Sequence, residues 1–114
     1  MCVGRGAEIW RIMTREQVEL FYQSNKWKRK RLKIFRRDGY MCQWTKRYGK
    51  DVEAEIVHHI FPIEDYPEYA LCNWNLISLS RAAHNRMHDR STGNLTEEGK
   101  QLLQKTAREK CVVY

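Results

Sequence analysis

The sequence predicts an α+β fold in which an antiparallel strand pair packs against one helix, with further helices before and after this unit. Residues 51–56 alternate polar and apolar side chains, with Val52, Ala54 and Ile56 apolar, which is the pattern of a half-buried strand. Residues 75–79 are apolar enough for a partner strand. Four other segments begin with a Ser or Thr suited to capping a helix. A chain of 114 residues is long enough for one small domain and not for two.

Two helices are predicted before the strands. Thr14 and Gln17 have the spacing of a capping box. The apolar side chains of Val18, Phe21 and Tyr22 then recur at helical intervals, which predicts a short helix through Gln23. Ser24 is the predicted cap of a second helix, which a turn at residues 38–39 ends. Four residues form the apolar side of this second helix: Trp27, the alkyl stem of Arg31, Ile34 and Phe35.

The second helix is strongly basic. Eight of the twelve residues at 26–37 are Lys or Arg, and no acidic residue lies among them. Together with a formal net charge of +7, this predicts a polyanionic partner, with nucleic acid as the leading candidate. An ordinary solvated surface is the alternative interpretation. The candidate phosphate contacts on this helix are Lys26, Lys28, Arg29, Lys30, Lys33 and Arg37.

Membrane attachment is not predicted. The sequence has no apolar run long enough to span a bilayer, no amphipathic or lipidated anchor, and no apolar signal-peptide core at its N-terminus. We therefore expect a cytoplasmic protein. The four cysteines, at positions 2, 42, 72 and 111, lie far apart in the sequence and are predicted to be reduced thiols that pack as small hydrophobic residues.

The remaining segments follow from local signals. The chain is predicted to be extended at residues 40–44 and to turn at the basic residues 46–50. A loop at residues 61–73 contains both prolines and separates the two strands. Ser80 is predicted to cap a helix that continues to about Arg90. A last helix is predicted with these residues at its cap and along its buried side: Thr96, Leu102, Leu103 and Ala107.

All four histidines fall between residues 57 and 88, which indicates a chemical site. His84 and His88 are four apart on a predicted helix, so they share one face and can chelate one cation. If the strand packs against this helix, His58 is delivered to the same place. Three neutral imidazoles with an open position are typical of a catalytic metal site. Such a site suits Zn²⁺, Ni²⁺, Co²⁺ or Mn²⁺, whereas Mg²⁺ prefers oxygen ligands.

His59 is predicted to point away from His58, because side chains alternate along a strand. Its ordinary pKa of about 6.5 would suit a general base acting on water. Asn75 would hold either the site loop or the imidazole through its amide, and simple turn chemistry is an equally good interpretation.

Three short segments, taken in order along the chain, resemble the motif of the HNH endonuclease family, whose fold is the ββα-metal fold. They are Val57-His58-His59-Ile60, Asn75-Leu76, and His84-Asn85 with His88. The upstream segment from Trp27 to Gln43 is similar to the basic helix and first knuckle of small phage-type members. The resemblance covers roughly residues 24–90. We predict a single HNH nuclease domain over residues 1–114, with a core at about 38–90 and helical flanks at 14–37 and 96–110.

By position, the resemblance implies a role for each site residue. The implied metal ligands are His58, His84 and His88, and the implied catalytic residues are His59 as general base and Asn75. The activity implied is cleavage of double-stranded DNA with one divalent cation: Zn²⁺, Ni²⁺, Mn²⁺, Co²⁺ or Mg²⁺. Three arginines beside the metal helix are candidates for clamping the phosphate: Arg81, Arg86 and Arg90.

The sequence departs from the family pattern twice. Many members hold a structural zinc with two Cys-x-x-Cys pairs, but here only Cys42 of those four positions is a cysteine, so we predict no structural zinc and expect Trp44, Tyr40 and the flanking helices to hold the hairpin. Other members have Asp where this chain has His58, a change that disfavours a strict Mg²⁺ requirement.

Three functional hypotheses remain. The first is a metal-dependent DNA nuclease; the second is a DNA-binding subunit of the same fold that does not cut; the third is a zinc module in which the histidines only stabilise the fold. The resemblance to phage members suggests terminase subunits as partners and a bacterial host cell as the location. The chain is too short to add a separate sequence-reading domain.

Overall fold

A two-stranded antiparallel sheet forms the centre of the protein. The structure is a computed structural model, which describes residues 13–112. Strand β1 (Ile56–His59) pairs with strand β2 (Leu76–Leu79), and the register places His59 opposite Leu76. The α+β class and the antiparallel hairpin predicted from the sequence are confirmed.

Five α-helices surround this sheet in the described part of the chain. They are α1 (Arg15–Gln23), α2 (Asn25–Arg37), α3 (Gln43–Lys46), α4 (Arg81–Asn85) and α5 (Glu97–Lys110). Short 3-10 turns lie between the strands at Pro67–Tyr69 and Asn73–Asn75. The four predicted capping residues are confirmed, since each side-chain oxygen accepts a hydrogen bond from a backbone N–H in the first turn of its helix: Thr14, Ser24, Ser80 and Thr96.

The first strand is shorter than predicted. It begins at Ile56, and Val52 is 39% exposed, so the alternation that starts at residue 52 does not mark a strand over its whole length. The preceding segment pairs instead with the chain that follows α2: Cys42 N–H donates to the Val52 carbonyl at 2.7 Å, and Ala54 N–H donates to the Tyr40 carbonyl at 2.8 Å. The chain between these bonds turns through helix α3, where the sequence predicted an extended segment.

The helix predicted to continue to Arg90 ends at Asn85. The next residues tighten into a turn, because the Met87 N–H donates to the His84 carbonyl and His88 forms an isolated bridge with Leu95. His84 and His88 therefore do not lie on one continuous helix, although the turn keeps them together.

Two groups of buried side chains hold the hairpin. The larger one lies between the hairpin, the loop after β1 and α5, and includes Phe61, Tyr69, Met87 and Leu102. The second joins α2 to the hairpin through these residues: Trp27, Ile34, Phe35, Val57 and Leu76. Trp44 packs against the first group as predicted, whereas Tyr40 is 53% exposed and stacks on Phe35.

The cysteines divide between two states. Cys42 is a free, fully buried thiol, and Cys111 is a free, exposed thiol. Cys72 is disulfide-bonded, which corrects the prediction that it is reduced. Position 2 lies outside the described residues. Over residues 13–112, no helix combines the length and the apolar character that crossing a bilayer would require.

Candidate metal centre and active-site cleft

Three imidazole rings converge at the point where β1 meets α4. His58 lies on β1, His84 in the last turn of α4, and His88 in the turn that follows. The ring centroids of each pair are 5.2–5.3 Å apart. One ring nitrogen from each residue can be chosen so that all three lie within 4.8 Å of one another. The predicted ligand set is therefore brought together in space.

The environment of these rings fits a bound cation. The Nε2 atom of His58 is buried and has no hydrogen-bond partner among the described residues, an arrangement that is costly unless something else satisfies that nitrogen. The pKa of His58 lies well below its ordinary value. Burial is the largest cause, and the neighbouring His88 and His84 rings lower the pKa further. Burial also lowers the pKa of His84, with further contributions from His88 and Arg81. Neutral imidazoles present the lone pairs that metal coordination requires.

Within residues 13–112, His58, His84 and His88 form the one group of three or more His, Cys, Asp or Glu side chains that could hold a metal ion. Cys42 is packed in the apolar core.

His59 lies on the opposite face of β1 and is buried, with 6% of its surface exposed. Its ring stacks on Trp27 with centroids 4.9 Å apart, and its Nε2–H donates to the Ala70 carbonyl at 2.9 Å. A carbonyl can only accept, so the proton of the neutral ring is on Nε2 and the lone pair is on Nδ1. Burial lowers the pKa of His59 to about 4, against the opposing effect of the Ala70 bond, so the expectation of an unperturbed pKa was wrong.

Asn75 is fully buried and holds the loop that follows β1. Its Oδ1 accepts from the Phe61 N–H at 2.7 Å, and its Nδ2 donates to the carbonyls of Phe61 and Tyr69 at 3.2 and 3.1 Å. Its own carbonyl accepts from the Ile60 N–H. Of the alternatives raised by the sequence, this geometry favours the one in which Asn75 holds the loop. Because Tyr69 precedes Ala70, the same bonds fix the carbonyl that orients His59.

A cleft of about 410 Å³ brings the four histidines to one opening. Its walls also include residues that the sequence analysis assigned to packing or did not single out: Tyr22, Arg31, Glu55 and Glu64. The helical periodicity of α1 and α2 identified Tyr22 and Arg31 as members of apolar faces. Helical periodicity does not show that those faces pack against β1, because that contact depends on the tertiary structure.

Arg31 is held at this cleft from two sides. Its guanidinium carbon lies 4.7 Å from the ring centroid of Phe35, and its Nη2 donates to the Glu55 carbonyl at 3.3 Å. The other guanidinium N–H groups have no partner among the described residues. Arg31 therefore presents a positioned cation beside the histidines.

The residues predicted to bind DNA fall into two groups. Six are exposed and have no side-chain hydrogen bond or ion pair within the described structure: Lys26, Lys28, Arg29, Lys33, Arg86 and Arg90. Three have protein partners. Lys30 donates to the Asn73 side chain at 2.8 Å, and Arg81 lies 3.9 Å from the Glu55 carboxylate.

Arg37 has the most protein partners in this set. Its guanidinium forms two bonds with Asp38, at 2.8 and 2.9 Å, and donates to the carbonyls of Asn73 and Leu76 at 2.7 and 2.6 Å. Asp38 in turn accepts from the Ser78 N–H. These bonds tie the end of α2 to β2, and a contact between Arg37 and phosphate stays a prediction.

A solved structure shares both fold and sequence with this protein. The crystal structure of the HNH endonuclease of the deep-sea thermophilic bacteriophage GVE2, with a manganese ion, matches at a TM-score of 0.60 and 32% identity over 84% of this chain and 85% of that one. The chain therefore belongs to the HNH endonuclease family, and its hairpin with α4 is the ββα-metal fold. No family model and no curated protein matches the sequence.

Proposed function

We propose that this protein is a metal-dependent endonuclease that hydrolyses phosphodiester bonds of double-stranded DNA. The observation that supports the proposal is the arrangement of two adjacent histidines on β1. His58 joins His84 and His88 in a three-imidazole cluster. His59 lines the same cleft and has a proton-free Nδ1.

His59 is proposed as the base that activates water. It is neutral at pH 7, since its pKa is lowered to about 4, and its Nδ1 can accept a proton. As the water oxygen bonds to phosphorus, one water proton passes to Nδ1 and the bond from phosphorus to the leaving oxygen breaks. The Ala70 carbonyl, already bonded to Nε2–H at 2.9 Å, then stabilises the positive charge on the ring. Solvent supplies the proton that the leaving oxygen takes up.

His58, His84 and His88 are proposed to hold one divalent cation. When bound, the cation supplies positive charge for the phosphate and for the leaving 3′ oxygen. An all-imidazole set suits Mn²⁺, Co²⁺, Ni²⁺ or Zn²⁺ better than Mg²⁺. Mn²⁺ is the first ion to test because the GVE2 enzyme crystallised with manganese.

Arg31 is proposed as the phosphate contact in the cleft, in place of the arginines beside α4. Among the described residues that line the cleft, Arg31 is the one with a guanidinium group. The exposed basic residues of α2 are proposed to contact flanking phosphates, which would make binding weaken as salt increases. A role for the protein in phage DNA packaging, with terminase subunits as partners in a bacterial host cell, stays a prediction.

The test compares wild-type protein with His59→Ala on supercoiled plasmid in Mn²⁺, Ni²⁺ or Mg²⁺. Loss of a general base is expected to slow nicking by roughly 10²–10⁴-fold. His59→Gln, which fills more of the vacated space beside Trp27, should be equally slow and guards against a folding defect. Both variants should still bind Mn²⁺.

If His59→Ala nicks DNA as fast as wild-type protein does, the role assigned to His59 is refuted. Retention of DNA without cleavage in any metal would favour the non-cutting DNA-binding subunit instead.

A further inference from the structure

Tyr22 lies outside the hairpin and α4, yet its hydroxyl reaches the lone-pair nitrogen of His59. The Tyr22 oxygen is 3.4 Å from Nδ1, on the opposite side of the ring from the bond to Ala70. Since Nε2 carries the ring proton, the tyrosine hydroxyl is the donor in this contact. The bond is at the long end of the accepted range and is weak enough to be exchanged for a better partner.

The aromatic ring of Tyr22 is fixed by its neighbours on α1 and α2. It packs edge-on against Phe21 and Trp27, with centroids 5.6 and 5.5 Å apart, and Trp27 itself stacks on His59. Tyr22 is 40% exposed and lines the cleft, where its hydroxyl lies beside His59 Nδ1. Burial and the nearby Glu64 raise the pKa of Tyr22 to about 12, so the hydroxyl keeps its proton at neutral pH.

We propose that Tyr22 is a positioning residue that orients the attacking water on His59. The inference rests on the proposed nuclease function and adds to it a residue from a helix that precedes the ββα unit. A water that gives its proton to Nδ1 must lie about 3 Å from that nitrogen. The Tyr22 hydroxyl borders the same place, so its oxygen accepts the second proton of the water. With both protons engaged, a lone pair of the water is left to face phosphorus.

The decisive variant is Tyr22→Phe, which removes the hydroxyl and keeps the ring that packs on Phe21 and Trp27. Its matched control is Tyr48→Phe, because Tyr48 is 68% exposed and does not line the cleft. The rate of plasmid nicking is measured in single turnover with Mn²⁺, over a series of protein concentrations that separates the maximal rate from the half-saturating concentration.

We expect Tyr22→Phe to lower the maximal rate about 3- to 10-fold, the effect of one neutral hydrogen bond, and to leave the half-saturating concentration unchanged. Tyr48→Phe should match wild type in both. A rate for Tyr22→Phe equal to or above that of wild type would overturn the inference, as would a loss confined to the half-saturating concentration.

A second readout does not depend on cleavage. In metal-free protein, the ¹⁵N resonance of His59 Nδ1 should move to higher frequency in Tyr22→Phe, because the nitrogen loses a hydrogen-bond donor, and should not move in Tyr48→Phe. An unmoved resonance would overturn the contact itself. If wild-type protein fails to nick DNA, the proposed function fails; if wild type nicks and Tyr22→Phe nicks equally well, this inference alone fails.

Discussion

His58 and His59 are neighbours in sequence, but the structure gives them different surroundings. Alternation along β1 turns His58 towards His84 and His88, and turns His59 towards Trp27 and the Ala70 carbonyl. Both faces of the strand are covered, so both rings are buried and both pKa values are lowered. One dipeptide can therefore present a metal ligand on one side and a proton acceptor on the other.

Arg31 offers a test at the scale of one residue. Arg31→Ala should slow DNA nicking by about 10- to 100-fold, because a charge-assisted contact to phosphate contributes about 1.5–3 kcal/mol. Arg31→Lys should recover only part of the rate, since a lysine lacks the planar fork of donors. Nicking rates on supercoiled plasmid with Mn²⁺ measure the effect.

The matched control is Arg36→Ala, which removes an exposed arginine of the same helix that does not line the cleft. Equal rates for Arg31→Ala and Arg36→Ala would show that Arg31 adds only general positive charge.

At the scale of elements, the start of α5 supports the turn that contains His88. The Thr96 N–H donates to the Met87 carbonyl at 2.9 Å, and the Thr96 hydroxyl donates to the Arg86 carbonyl. Gly99 allows this close packing, because a Cβ there would lie 2.5 Å from the Met87 oxygen. The sequence predicted only a packing role for α5, but its contacts also brace the turn that contains His88, one of the three clustered histidines.

Gly99→Ala is therefore expected to destabilise the protein, although alanine favours a helix over glycine by up to about 1 kcal/mol. The added methyl group would displace the Met87 carbonyl, at an expected cost of about 1–3 kcal/mol in the free energy of unfolding. Urea unfolding measures this, and Mn²⁺ affinity should fall with it because His88 follows Met87.

Gln101→Ala serves as the control, since Gln101 is exposed on the same helix and the change should stay within about 0.5 kcal/mol. A Gly99→Ala protein more stable than wild type would contradict the bracing role.

At the scale of the whole molecule, the helices before the hairpin are part of the cleft. Helix α2 supplies Trp27 and Arg31 to its wall, and α1 supplies Tyr22. Arg37 and Asp38 tie the end of α2 to β2, which fixes those side chains relative to the histidines. The cleft is thus formed jointly by the ββα unit and its N-terminal flank.

Local patterns predicted much of this arrangement. Cap residues, strand alternation and histidine spacing depend on near neighbours in sequence, and they located the starts of α1, α2, α4 and α5, the hairpin and the three-imidazole cluster. The errors arose where a distant segment competes for backbone hydrogen bonds. Val52 bonds to Cys42 in place of extending β1, and Met87 bonds to Thr96 where α4 was expected to continue.

Side-chain environment was the least predictable feature. The lowered pKa of His59 results from burial beneath side chains such as Trp27, which is far from it in sequence. The engagement of Arg37 likewise depends on carbonyls 36 and 39 residues away. Composition identified Arg37 as a cation but did not show that its donors are used within the protein.

The most direct test of the account is calorimetric titration of Mn²⁺ into metal-free wild-type, His84→Ala and His59→Ala proteins. We predict one ion per wild-type chain. Affinity should fall in His84→Ala by more than the roughly 10- to 100-fold that follows loss of a supporting outer-shell partner. His59→Ala should bind Mn²⁺ like wild type. Binding that is absent in wild type, or unchanged in His84→Ala, would contradict a shared three-histidine metal site.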